Sequence, residues 1–165
     1  VFGRFPKRCD AVVEMLANLF TQVYMRFLAS ASVRRAVWSK AFYSCSLNPL
    51  GAMMACPYVD LLKVPVWNII TEIMHEAFLV SLAKGKGVDL PHTTAEEYLG
   101  FLRYEKIPPT DWHYYNSMYQ DIEGGRLPEV DYINRAIVLL GEKHGITTPV
   151  NRMIVNLTHF KEELR

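Results

Sequence analysis

Apolar residues return at steps of three and four in one segment after another, and no stretch alternates apolar and polar residues at a step of two. That periodicity commits the chain to helices. Asp10 precedes Val12, Val13, Leu16, Leu19, Phe20, Val23, Tyr24 and Phe27, which predict a first helix through about residue 29. Ser32 is the expected cap of a second, which carries Trp38 and Lys40 and should be interrupted near Pro49, where the ring removes a hydrogen bond and crowds the preceding turn. Pro65 suits the first turn of a third helix, ending around Gly85 or Gly87. Thr93 and Thr94, each three residues ahead of Glu96 or Glu97, offer two alternative capping boxes for a fourth, which stops before Pro108-Pro109. Asn116 or Ser117 opens a short helix closing at Gly124-Gly125, Pro128 opens another that closes at Gly145, and Pro149 starts the last. The expected fold is an all-α domain of about seven helices over residues 10–165. The β-prone Val1–Phe5 makes residues 1–9 read as a linker or strand end arriving from something upstream.

Length and composition narrow the partners. At 165 residues, half of them apolar, the chain can bury a real core. The formal charge of +1 comes from scattered lysines and arginines, so no basic stripe suggests nucleic acid. The longest uncharged apolar run, Ala77 to Ala83, is too short to span a bilayer. Cys9, Cys45 and Cys56 lack metal-ligand spacing and read as reduced, buried thiols of a cytoplasmic protein. Glu72-x-x-His75-Glu76 has the outline of a zinc-protease motif but lacks the second histidine a metal pair requires. No metal is expected there. His92, His113, His144 and His159 read as isolated surface or capping residues.

One segment invites chemistry. Lys40, Ser44 and Asn48 recur at steps of four, each step advancing only about 40° around a helix, so all three share a face. Ala41, Phe42, Tyr43, Cys45 and Leu47 wall them with mostly apolar groups. An ammonium, a hydroxyl and an amide in such a row can meet a small polar ligand. The same spacing also suits a solvated helix face.

Three segments, in order and covering nearly the whole chain, resemble one family. Lys40 to Pro49 is similar to the Lys-x3-Asn-x3-Asn-Pro segment of ketopantoate reductases (2-dehydropantoate 2-reductases). Asn116 to Asn134 resembles that family's Ser-Ser-Met-x-Gln-Asp followed by Glu-x-Asp, and Gly145 to Asn151 its Gly-x-x-x-Pro-x-Asn. The match is to the C-terminal helical domain, a fold shared with 6-phosphogluconate dehydrogenase-like proteins. The resemblance implies an NADPH-dependent reduction of ketopantoate, or a similar 2-oxo acid, in pantothenate biosynthesis. It also implies an upstream Rossmann domain that holds most of the NADPH.

Under that resemblance Lys40 is the general acid, an ammonium that supplies a proton to the ketone oxygen and stabilises the developing alkoxide. Partial desolvation among its aromatic neighbours would tune it. Asn48 matches the asparagine that bonds substrate oxygens, or is simply a helix-end cap before Pro49. Ser44 replaces the family's first asparagine; being shorter, it loses the contact or makes it through water, which puts substrate identity in question. Ser117 matches the serine that meets the substrate carboxylate, and also suits an N-cap. Glu129 matches the glutamate of Glu-x-Asp and could orient Lys40 or accept from a substrate or ribose hydroxyl. In a first turn after Pro128 it would also favour the helix dipole without any catalysis. No Gly-x-Gly-x-x-Gly follows a strand, and Gly85-Lys-Gly87 is no substitute, so no residue here is assigned to the cofactor and this chain alone is expected to be inactive. The alternative is a non-catalytic helical interaction domain that kept the fold; an exposed apolar helix face could mediate a homodimer.

Overall fold

The computed structural model describes residues 1, 3–4, 8–25, 27–83, 92–107 and 113–164. Among them are seven α-helices and no β-strand: α1 Ala11–Gln22, α2 Val33–Met54, α3 Val64–Ala83, α4 Ala95–Phe101, α5 Ser117–Glu123, α6 Asn134–His144 and α7 Pro149–Glu163. Two 3-10 turns, Tyr58–Leu62 and Glu129–Tyr132, and a π-helical turn, Leu102–Lys106, join them. The all-α expectation therefore holds. The expected ends at Gly85 or Gly87 and at Pro108-Pro109 lie outside the described residues, as do Phe5 and Pro6 of the N-terminal segment.

The chain divides into a smaller unit built on Val1–Lys40 and a larger one built from Ala41 onward. In the smaller unit Asp10 caps α1, its Oδ1 accepting from Val13 N at 3.2 Å. That backbone bond, with Arg4 beside it, holds the carboxyl below the usual aspartate range. The helix stops well short of residue 29. Tyr24 turns into the left-handed region at φ 61°, and Tyr24 N and Met25 N donate back to Thr21 O and Phe20 O. Those two bonds form a Schellman motif. Glycine usually occupies the turning position, so tyrosine there left no signal to read. Ser32 does not cap α2: its buried hydroxyl has no partner among the described residues.

In the larger unit α3 is the central helix, burying Ile70, Ile73, Met74, Ala77, Phe78 and Val80. It is long and apolar enough to cross a membrane by composition alone, yet these residues form a protein core. Phe42 of α2 stacks on Phe78 at 5.3 Å and meets Tyr98 of α4 edge-on at 5.5 Å, so three helices share one aromatic cluster. Thr94 caps α4 by accepting from Glu97 N at 3.1 Å, while the Glu97 carboxylate accepts from Thr93 N and Oγ1. Of the two capping boxes, Thr94 supplies the cap and Thr93 the return contacts. Gly145, at φ 71°, ends α6 as expected.

Pro49 does not interrupt α2, which runs on to Met54. A proline inside a helix leaves the carbonyl four residues back without its donor, at a cost of about 3 kcal/mol. Here that carbonyl belongs to Cys45, and Asn134 Nδ2 donates to it at 2.9 Å from the start of α6. The other amide hydrogen of Asn134 goes to Asn151 Oδ1 at 3.0 Å. Asn151 Nδ2 in turn donates to Glu76 Oε2 at 2.8 Å. Glu76, buried on α3, also accepts from Val150 N and Asn151 N, the first free amides of α7. A side-chain relay thus joins α3, α6 and α7 to the proline step of α2.

Candidate functional site

Asn48 lies one residue before Pro49 and is buried, 7 % exposed. Its Oδ1 accepts from the Tyr58 hydroxyl at 3.1 Å, and its backbone oxygen accepts from Asn116 Nδ2 at 3.1 Å. Among the described residues nothing accepts from Asn48 Nδ2. Asn116 is the N-cap of α5, with Oδ1 accepting from Tyr119 N at 2.8 Å. One side chain therefore caps α5 and ties it to the main chain at Asn48. The approach needs Gly51: a Cβ there would come within 2.4 Å of Asn116 Nδ2.

Packing fixes the same block from below. Ala52 of α2, Met118 and Ile122 of α5, Val130 of the second 3-10 turn and Val155 of α7 form one buried cluster. Each large apolar side chain buried this way contributes roughly 1.5–3 kcal/mol. Ser117 precedes Met118, and Glu129 precedes Val130. The cluster thus anchors the backbone beside both predicted site residues to the C-terminal half of α2.

The five predicted residues divide. Ser44 and Asn48 are buried on α2 in the larger unit. Ser117 is the first residue of α5 and exposed; Asn116, not Ser117, is the cap. Glu129 is exposed, and among the described residues it has no hydrogen-bond or ion-pair partner. It sits in a 3-10 turn rather than in the first turn of α6, because Ile133 at φ −113° and ψ −85° separates the two. Lys40 belongs to the smaller unit and is exposed, so the desolvation expected for it is not provided by the described residues. The aromatic neighbours Trp38 and Phe42 are two residues away, about 200° around the helix, and are buried instead.

Other expectations need correcting. Only Cys45 is a buried thiol, pushed up to about 12 by that burial; Cys9 and Cys56 are half-buried. His75 pairs with Glu96 at 3.0 Å and His159 with Asp131 at 3.1 Å, so His159 is not isolated. An apolar groove of about 880 Å³ runs along Ile146, Thr148, Pro149, Met153 and Leu157, away from the Asn48 block.

The chain's kinship follows from the extent of its match. Residues 32–162 match the family described as ketopantoate reductase PanE/ApbA, C terminal. The chain belongs to that family. It is 34 % identical over 156 residues to 2-dehydropantoate 2-reductase of Aquifex aeolicus (strain VF5), covering 93 % of this chain and 48 % of that protein. It thus spans about half the length of the curated relatives it matches. Among solved structures, a PanE/ApbA family ketopantoate reductase from Ralstonia eutropha JMP134 superposes with a TM-score of 0.79. The two share 30 % identity over 92 % of this chain and 48 % of that one. D-mandelate dehydrogenase, solved with NADH and anilino(oxo)acetate, gives a TM-score of 0.83 at 26 % identity over 94 % of this chain and 62 % of that one.

Sequence reasoning passed over Tyr58 and gave Asn134, Asn151 and Glu76 no role of their own, although all three stand in segments it singled out; Glu72, beside Glu76 in the zinc-like outline, is exposed. A signal for Asn134 was present: a proline inside a helical pattern implies a distant donor for the stranded carbonyl. Nothing local marked Tyr58 or Glu76.

Proposed function

We propose that this chain is the substrate-side domain of an NADPH-dependent 2-dehydropantoate 2-reductase, acting on ketopantoate or a similar 2-oxo acid in the cytoplasm. The observation that carries the reading is the Asn48 block. A buried amide with unspent donors is held by Asn116 to the helix that begins with the exposed Ser117 hydroxyl. A 2-oxo acid presents acceptor oxygens, and these groups suit them. A bound NADPH would supply the hydride to the ketone carbon; Lys40 donates a proton to the ketone oxygen, which becomes a hydroxyl, and recovers its own proton from solvent. Glu129 accepts from a hydroxyl of the substrate or of the cofactor ribose.

No strand opening into a glycine-rich turn occurs among the described residues. The reading assigns the nucleotide to an upstream Rossmann domain and gives this chain only the handling of substrate and proton. A second reading, a bulkier 2-oxo acid used with NADH, is favoured by Ser44 in place of the family's longer asparagine. The likeness to D-mandelate dehydrogenase points the same way. Turnover of a panel of 2-oxo acids with NADPH and NADH, by the protein carrying its nucleotide domain, separates the two.

Lys40→Ala in that protein is expected to lower kcat on the order of a hundredfold or more with the fold intact. An unchanged kcat would favour the non-catalytic interaction domain instead.

A further inference from the structure

We infer that Tyr58 is a positioning residue that locks the Asn48 amide with its oxygen inward and its nitrogen outward. Locked in that way, the site selects ligands that present an acceptor oxygen at this point. The inference rests on the reading that Asn48 touches substrate.

An asparagine amide can present either a donor or an acceptor, because rotating its end group exchanges oxygen for nitrogen at little cost. A freely turning Asn48 would therefore tolerate a ligand hydroxyl that donates as readily as a carboxylate or ketone that accepts. Tyr58 removes that freedom. Its hydroxyl donates to Asn48 Oδ1 at 3.1 Å, with both side chains buried. Turning the amide over would exchange that bond for one in which Nδ2 donates to the phenol oxygen, so the orientation in place is the one in which the tyrosine donates and Asn48 accepts.

The tyrosine is itself held at both ends. Its N–H donates to Tyr114 O at 3.2 Å, and its ring leans on Tyr43 at 5.7 Å. It opens a 3-10 turn anchored by the fully buried Leu61. The main chain at Asn48 is fixed from the other side by Asn116. With backbone and amide oxygen both committed, the two N–H bonds of Nδ2 remain, and nothing among the described residues accepts them.

The test uses the protein with its nucleotide-binding domain and measures steady-state kinetics with ketopantoate. Asn48→Ala is expected to raise KM about tenfold or more. Tyr58→Phe, which deletes one oxygen, is expected to raise KM about fivefold to tenfold with kcat within about twofold, the loss of one hydrogen bond. In the Asn48→Ala background Tyr58→Phe should change KM no further. If Asn48→Ala raises KM but Tyr58→Phe does not, or if it raises KM equally in both backgrounds, the inference is overturned while Asn48 keeps its substrate role. If Asn48→Ala leaves KM unchanged, the premise falls and the inference with it. Asn48→Asp gives an arm free of any folding defect at Tyr58. It keeps the acceptor for the phenol but turns an oxygen toward the ligand, so it should bind more weakly than Asn48→Ala; binding as tight as wild type overturns the inference.

Discussion

Two polar clusters meet α2 within one turn of each other, and they finish their hydrogen bonding differently. Around the Cys45 carbonyl, the side-chain amide hydrogens of Asn134 and Asn151 all go to protein acceptors, the Glu76 carboxylate among them. Asn134 uses both amide hydrogens there, and its own Oδ1 is buried without a partner among the described residues, a cost of about 1–3 kcal/mol that the orientation imposes. Around Asn48, the oxygens are satisfied by Tyr58 and Asn116, while no described residue accepts from Nδ2. The first cluster spends all its side-chain donors within the protein and holds helices together. The second is equally buried but unfinished on one side, as a binding group has to be. Residue type does not separate them, since both are built on asparagines. The count of spent donors does.

The comparison can be broken in the first cluster without touching the second. Glu76→Ala leaves Val150 N, Asn151 N and one hydrogen of Asn151 Nδ2 without an acceptor, the other staying on Ile73 O. It should destabilise the protein on the order of 3 kcal/mol or more in denaturant unfolding, with KM of the remaining folded enzyme unchanged. A shift in KM would mean the clusters are not separate devices. Asn134→Ala should cost about 2 kcal/mol, and less in a Pro49→Ala background, where the restored N–H reaches the Cys45 carbonyl again. Equal costs in both backgrounds would show that Asn134 does not stand in for the missing helix bond.

The smallest effect concerns an exposed counterpart of Glu76. Glu97 accepts from Thr93 at the start of α4, and those bonds hold its carboxyl below the usual glutamate range. A depressed folded value means the contribution is present above the unfolded value and lost as pH falls through the folded one. Protection of the Thr93 amide from exchange should therefore decline below the ordinary carboxylate range and stay flat above it. A Thr93 amide insensitive to acid would contradict the bond.

Fold class was legible because helical periodicity and proline–glycine punctuation are local, and α3, α5 and α7 begin where those signals put them. The failures were tertiary. The end of α1 rests on a tyrosine taking a conformation glycine normally takes, and α2 survives Pro49 through a residue 85 positions further on. At the site, spacing placed Lys40, Ser44 and Asn48 on one face, but spacing cannot say which become buried, since that depends on what packs over them. Asn116 was visible as one of two caps; its second bond, to Asn48, was not.

Thr148 precedes α7 but makes no side-chain cap, and the work falls to a carboxylate from α3. The terminal helix therefore cannot complete its own first turn in isolation: its nucleating partner is delivered only when the central helix has docked. A cap borrowed over such a distance makes secondary structure depend on tertiary contact, binding the C-terminal segment into the same all-or-none transition as the core.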